Sequence, residues 1–67
     1  MKPELIQRMF KVDPNNVASG FTSTLWQFGY QVNEKWVADE VTRIMDGGLP
    51  KCGPSSIIAQ WLKNGTE

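Results

Sequence analysis

Residues 26–32 read Trp26-Gln27-Phe28-Gly29-Tyr30-Gln31-Val32, WQFGYQV, and alternate apolar and polar side chains along their whole length. An amphipathic β-strand alternates this way because successive side chains leave it on opposite faces. The residues leading into the stretch carry another period. Val17, Phe21, Leu25 and Phe28 recur at intervals of four, four and three, which draws a stripe along a helix beginning near Asn15 or Asn16. Whether the chain is α/β or all-α depends on which period governs.

Two physical considerations favour the helix. A strand must satisfy its backbone against a partner, and the sequence holds no second alternating run, which leaves a strand pair between two chains as the alternative. The stretch also carries the punctuation of a helix end. Gly29 falls where a left-handed residue closes a helix, and Tyr30 stands where it can fold back on the last turn. Val32 and Asn33 then fit the residue before a cap and the cap itself, with Val37 placed to complete a hydrophobic staple. WQFGYQV is therefore read as a helix end, a turn and a helix entry.

Outward from this point, the other segments read as helices too. Leu5, Ile6, Met9 and Phe10 lie at helical spacing behind Pro3, and Glu4 stands four residues before Arg8. Asp13-Pro14-Asn15-Asn16 carries turn and cap residues. In NEKWVADEVTRIMDGG, Val37, Val41, Ile44 and Met45 share one face, and the pairs Lys35 with Asp39 and Asp39 with Arg43 mark an opposing charged stripe. Asp39, Glu40 and Asp46 are accordingly read as a solvated acidic face. Gly47-Gly48 stops that helix, and Leu49-Pro50 prevents its resumption. The last element opens at Gly53-Pro54 and carries Ile57, Ile58, Trp61 and Leu62. The expectation is a single small all-α domain over 1–67, an orthogonal bundle of four short helices at 3–11, 16–28, 33–46 and 54–64. Its predicted core is Leu5, Ile6, Met9, Phe10, Phe21, Leu25, Phe28, Val37, Val41, Ile44, Ile58, Trp61 and Leu62.

Composition bounds the function. The chain has 67 residues, and seven basic and seven acidic side chains cancel, so no global field attracts a polyanion or an anionic bilayer. With no histidine and one cysteine there is neither a zinc ligand set, nor an imidazole base, nor an internal disulfide, which sets a reducing, cytoplasmic location as the default. Residues 14–33 contain no charge and match the length of a membrane span, but their asparagines, glutamines, serines and threonines are too polar for hydrocarbon. No metal, cofactor or membrane partner is expected.

Candidate chemistry is sparse. Cys52 lies beside Lys51 and just ahead of a helix start, a field that favours thiolate, yet no base accompanies it and it reads as a turn thiol. KCGPSS, Lys51 to Ser56, offers amides and hydroxyls at a helix start without the glycine spacing of a phosphate loop. The aromatic residues are the clearer excess. Trp26, Trp61 and the phenylalanines are assigned chiefly to the core, as Trp36 is more often than not, but Trp26, Tyr30 and Trp36 are also the candidate anchors for a protein partner. The expected function is a non-enzymatic protein-interaction module, with self-association within reach.

Two local resemblances supply the alternative. LWQFGYQVNEKWVADEVTRI, Leu25 to Ile44, resembles a DNA-binding helix-turn-helix in its turn glycine and the inward Val37, Ala38 and Val41. VTRIMDGGLPKCGPSSIIAQWL, Val41 to Leu62, looks like the SAP-type nucleic-acid module, with Gly48, Leu49, Pro50 and Gly53 at its turn and Ile58 and Leu62 at its apolar positions. These resemblances imply nucleic-acid binding, for which Lys35, Arg43, Lys51 and Lys63 would contact phosphates. The zero net charge disfavours it.

Overall fold

A computed structural model describes residues 1–66, and among them every regular element is helical. The helices are α1 (Pro3–Val12), α2 (Pro14–Gln27), α3 (Glu34–Met45) and α4 (Pro54–Asn64). Each packs on its chain neighbour and α1 packs on α4, so the four close into a ring around one core. The reading of residues 26–32 as a helix end, a turn and the approach to the next helix, and not a strand, holds.

Each corner follows from local chemistry. Asp13 ends α1 and caps α2: its amide donates to Met9 O at 2.7 Å, and its carboxylate accepts from Asn16 N at 3.4 Å. Pro14 excludes the helical region for the residue before it, so the chain must bend at Asp13. For this reason α2 begins at Pro14, two residues ahead of the expected 16.

The next corner is the decisive one. Gly29 has φ 97°, Gly29 N donates to Trp26 O at 3.0 Å, and Tyr30 N donates to Leu25 O at 2.9 Å. These paired bonds satisfy carbonyls the last turn would otherwise leave open, the arrangement that a left-handed closing residue permits. Asn33 then caps α3 by accepting from Trp36 N at 2.7 Å. Val32 packs against the cluster that includes the buried Val37, as the staple requires.

The core holds Ile6, Phe10, Ala18, Phe21, Leu25, Val37, Val41, Ile58 and Leu62. Trp61 lies over Phe21 with ring centroids 4.7 Å apart and joins α4 to α2. Several expected core members lie elsewhere. Phe28 is 59% exposed, because α2 closes at that residue and its ring reaches only the outer side of Trp61, at 6.4 Å between centroids. Leu5 and Met9 are exposed, because α1 turns only its Ile6 and Phe10 row inward. Ile44 and Trp61 are half-buried at the core margin. Helices α1 and α4 and the segments flanking them are joined as well: Thr66 N donates to Met1 O at 3.0 Å, and Gln7 Nε2 donates to Leu62 O at 3.0 Å.

Candidate interaction site

Trp26 stands on the outer face of the last turn of α2 and is 53% exposed, which corrects its assignment to the core. The helical stripe that buries Phe21 and Leu25 points away from it. Its indole is nonetheless fixed. Nε1–H donates to Val32 O at 2.7 Å, so the polar edge is satisfied within the chain while the ring stays open to solvent. The Gly29 corner makes this possible by returning residue 32 alongside the helix end. Trp26 forms the wall of a shallow cleft of about 640 Å³ shared with Ser19, Thr22, Ser23, Gln27 and Glu34. Every contributor from α2 is uncharged; Glu34, in the first turn of α3, supplies the only ionised group.

The other aromatic candidates separate from it. Tyr30 is 36% exposed on the turn itself. Trp36 is half-buried and packs against the core, so it is less available than a rim anchor. Phe28, expected inside, is instead one of the more exposed apolar groups of the same corner.

The charged residues form a different constellation. Glu40, expected on a solvated face, is buried at 5% exposure. Arg43 grips it through two hydrogen bonds, Nε to Oε1 at 3.1 Å and a second guanidinium nitrogen to Oε2 at 2.8 Å, and Ser55 Oγ donates to Oε2 at 2.6 Å. The hydrogen bonds from Arg43 and then from Ser55 hold the Glu40 carboxyl down to about 2 from its ordinary 4.5, against the opposing effect of burial. The same bonds raise the Arg43 guanidinium above its ordinary value. Arg43 also donates to Leu49 O at 2.7 Å, and Lys51 N donates to Ser55 Oγ at 3.0 Å. The network ties α3, the following turn and the start of α4 into one unit. Arg43 is committed to Glu40 and not to Asp39. The signal was present in the sequence, since Glu40 stands three residues after Val37 and four before Ile44 and so shares their side of the helix.

This network determines what the nucleic-acid candidates can do. Arg43 is engaged internally, whereas Lys35, Lys51 and Lys63 are exposed. Lys35 lies in the first turn of α3 and Lys51 lies beyond its other end, so most of the length of that twelve-residue helix, about 18 Å in all, runs between them. In KCGPSS the Ser55 hydroxyl bonds the chain's own Glu40, so the carboxylate an external anion would resemble is already there. Cys52 is exposed and free. Leu49, which the SAP-type likeness sets at its turn, is 81% exposed, while Ile58 and Leu62 are buried as that likeness implies. Among the described residues no group of acidic or sulfur side chains could hold a metal ion, and no helix is long and apolar enough to cross a membrane.

Comparison with protein-family models, with curated proteins and with solved structures found no match to this chain.

Proposed function

We propose that this protein is a non-enzymatic interaction module that engages a protein partner through Trp26, with Tyr30 and the adjoining uncharged surface of α2 completing the contact. The supporting observation is that Trp26 is half exposed and yet held by its bond to Val32 O. A fixed indole loses little conformational freedom when a partner covers it, and its exposed ring supplies a large apolar area at one point. Tryptophan in such a setting is a common energetic centre of an interface.

The cleft beside it suits a peptide or a protein edge. Its hydroxyl and amide groups can exchange hydrogen bonds with a main chain, and its lack of charge on the α2 side keeps desolvation cheap. The nucleic-acid reading draws less support, since one of its four basic residues is committed to Glu40. Isotope-edited titration with a captured partner, comparing the parent with Trp26→Ala, tests the proposal. The variant is expected to lose the partner by about tenfold or more in affinity while its circular dichroism is unchanged. Partners held equally by both proteins would refute it.

A further inference from the structure

We infer that the partner held at Trp26 presents an arginine side chain, whose guanidinium lies against the indole face and pairs with the Glu34 carboxylate. The inference rests on the Trp26 reading above and adds the chemistry of what fills the cleft. Ser19, Thr22, Ser23, Trp26, Gln27 and Glu34 line that cleft, and their hydrogen-bonding capacity is one-sided. The Trp26 Nε1–H already donates to Val32 O, and the Thr22 hydroxyl donates to Ala18 O at 2.7 Å. Toward the cleft Trp26 therefore offers only its ring, and Thr22 only an acceptor oxygen. The Glu34 carboxylate is an acceptor as well, and no basic residue lines the cleft.

Covering these groups with an apolar surface would strip water from the carboxylate and give nothing in return, so the occupant must bring donors and positive charge. The chain supplies neither. Among the described residues no cation pairs with Glu34, and no ring or cation stacks on Trp26. Helix α2 also carries no basic side chain in its last turn, the end at which a helix favours a cation, and Glu34 offsets the opposite dipole where α3 begins. Arginine fits this set better than lysine does. Its planar guanidinium stacks on an indole, presents several N–H donors and no acceptor, and is more weakly hydrated than an ammonium. A cleft of about 640 Å³ takes such a side chain together with adjoining main chain, for which Ser19, Ser23 and Gln27 can both donate and accept.

Nuclear magnetic resonance titration of the full chain tests the inference, the probe being a short capped peptide of glycine and serine around one central arginine. Companion peptides carry lysine, or the neutral norleucine, at the centre. The arginine peptide is expected to shift the Trp26 Nε1–H and the Glu34 amide saturably in the millimolar range, and to bind more weakly as salt is added. Norleucine in its place is expected to weaken binding by about fivefold or more, and lysine by about twofold. Glu34→Gln, at an exposed position, is expected to weaken the arginine peptide by about threefold or more with the helical spectrum retained. Trp26→Ala is expected to remove the saturable shift at Glu34 altogether. No saturable shift at tens of millimolar peptide would overturn the inference. So would a lysine or norleucine peptide held as tightly as the arginine one, or a Glu34→Gln protein that binds like the parent. Norleucine binding that Trp26→Ala removes would leave the Trp26 reading standing and this one refuted, whereas arginine binding undiminished in Trp26→Ala would refute both.

Discussion

Glu40 is the buried charged residue among the described residues, and it joins α3 to the start of α4. Its carboxylate is buried against Ser55 and clamped by Arg43, and a buried acceptor deprived of its donors costs more than the bonds themselves contribute. Ser55→Ala is expected to lower stability by about 1–3 kcal/mol in urea titrations at neutral pH, with Glu40→Gln in the same range. The pH dependence follows from the lowered carboxyl. Because the folded state holds Glu40 at about 2 while its ordinary value is 4.5, the contribution is complete above pH 4.5 and is lost as pH falls toward 2. The loss should amount to about 1–2 kcal/mol once solvent screening at the Arg43 side is allowed for. The difference in stability between the parent and Glu40→Gln should therefore shrink across that window; a constant difference would count against the clamp. At Gly20 the sign reverses. Gly20→Ala fills open space on a helical backbone and should stabilise the dilute monomer by about 0.5–1 kcal/mol, read as a higher melting temperature.

At the scale of elements, the corner between α2 and α3 sets the architecture and also positions Trp26, the proposed anchor. Gly29 at φ 97° permits the closing bonds to Trp26 O and Leu25 O, and Asn33 opens α3. Gly29→Ala strains a left-handed position and should cost about 1 kcal/mol, and Asn33→Ala should cost a similar amount through loss of the cap. Both are measurable as melting shifts of several degrees. Gly29→Ala should in addition disturb the bond from the Trp26 indole to Val32 O, visible as a shift of its Nε1–H resonance. This corner was legible because glycine, asparagine and the flanking valines act over a few residues. The corner between α3 and α4 was legible in the same way, and there a second constraint applies: a Cβ on Gly48 would lie 2.7 Å from Arg43 O, so only glycine fits against the helix end. The α1 to α2 corner was misplaced by two residues because Asp13, Asn15 and Asn16 are all competent caps, and only the restriction imposed by Pro14 selects the first.

At the scale of the molecule, nine side chains form a small core, so the margin is thin and each buried methyl group matters. Val41→Ala and Leu62→Ala should each cost about 2–4 kcal/mol, whereas Leu5→Ala at 42% exposure should cost under about 1 kcal/mol in the dilute monomer. Thermal or urea melts of the three variants separate the true core from the uncovered row of α1. A Val41→Ala protein melting within two or three degrees of the parent would remove the core assignment.

The sequence by itself determined the number of helices, their kind and their limits to within one or two residues, because spacing, caps and closing glycines act locally and need no knowledge of the rest of the chain. It also determined that Val37, Val41, Ile58 and Leu62 are inside, since each lies at the centre of an apolar stripe. Only the tertiary structure decided the margins of those stripes. Leu5, Met9 and Phe28 are as apolar as their buried neighbours, but a ring of four short helices covers a limited arc of each, and the crossing geometry selects which residues that arc includes. The same geometry brought Ser55 of α4 against Glu40 of α3, fifteen residues apart in sequence, and so turned a residue read as solvated into the buried centre of the polar network.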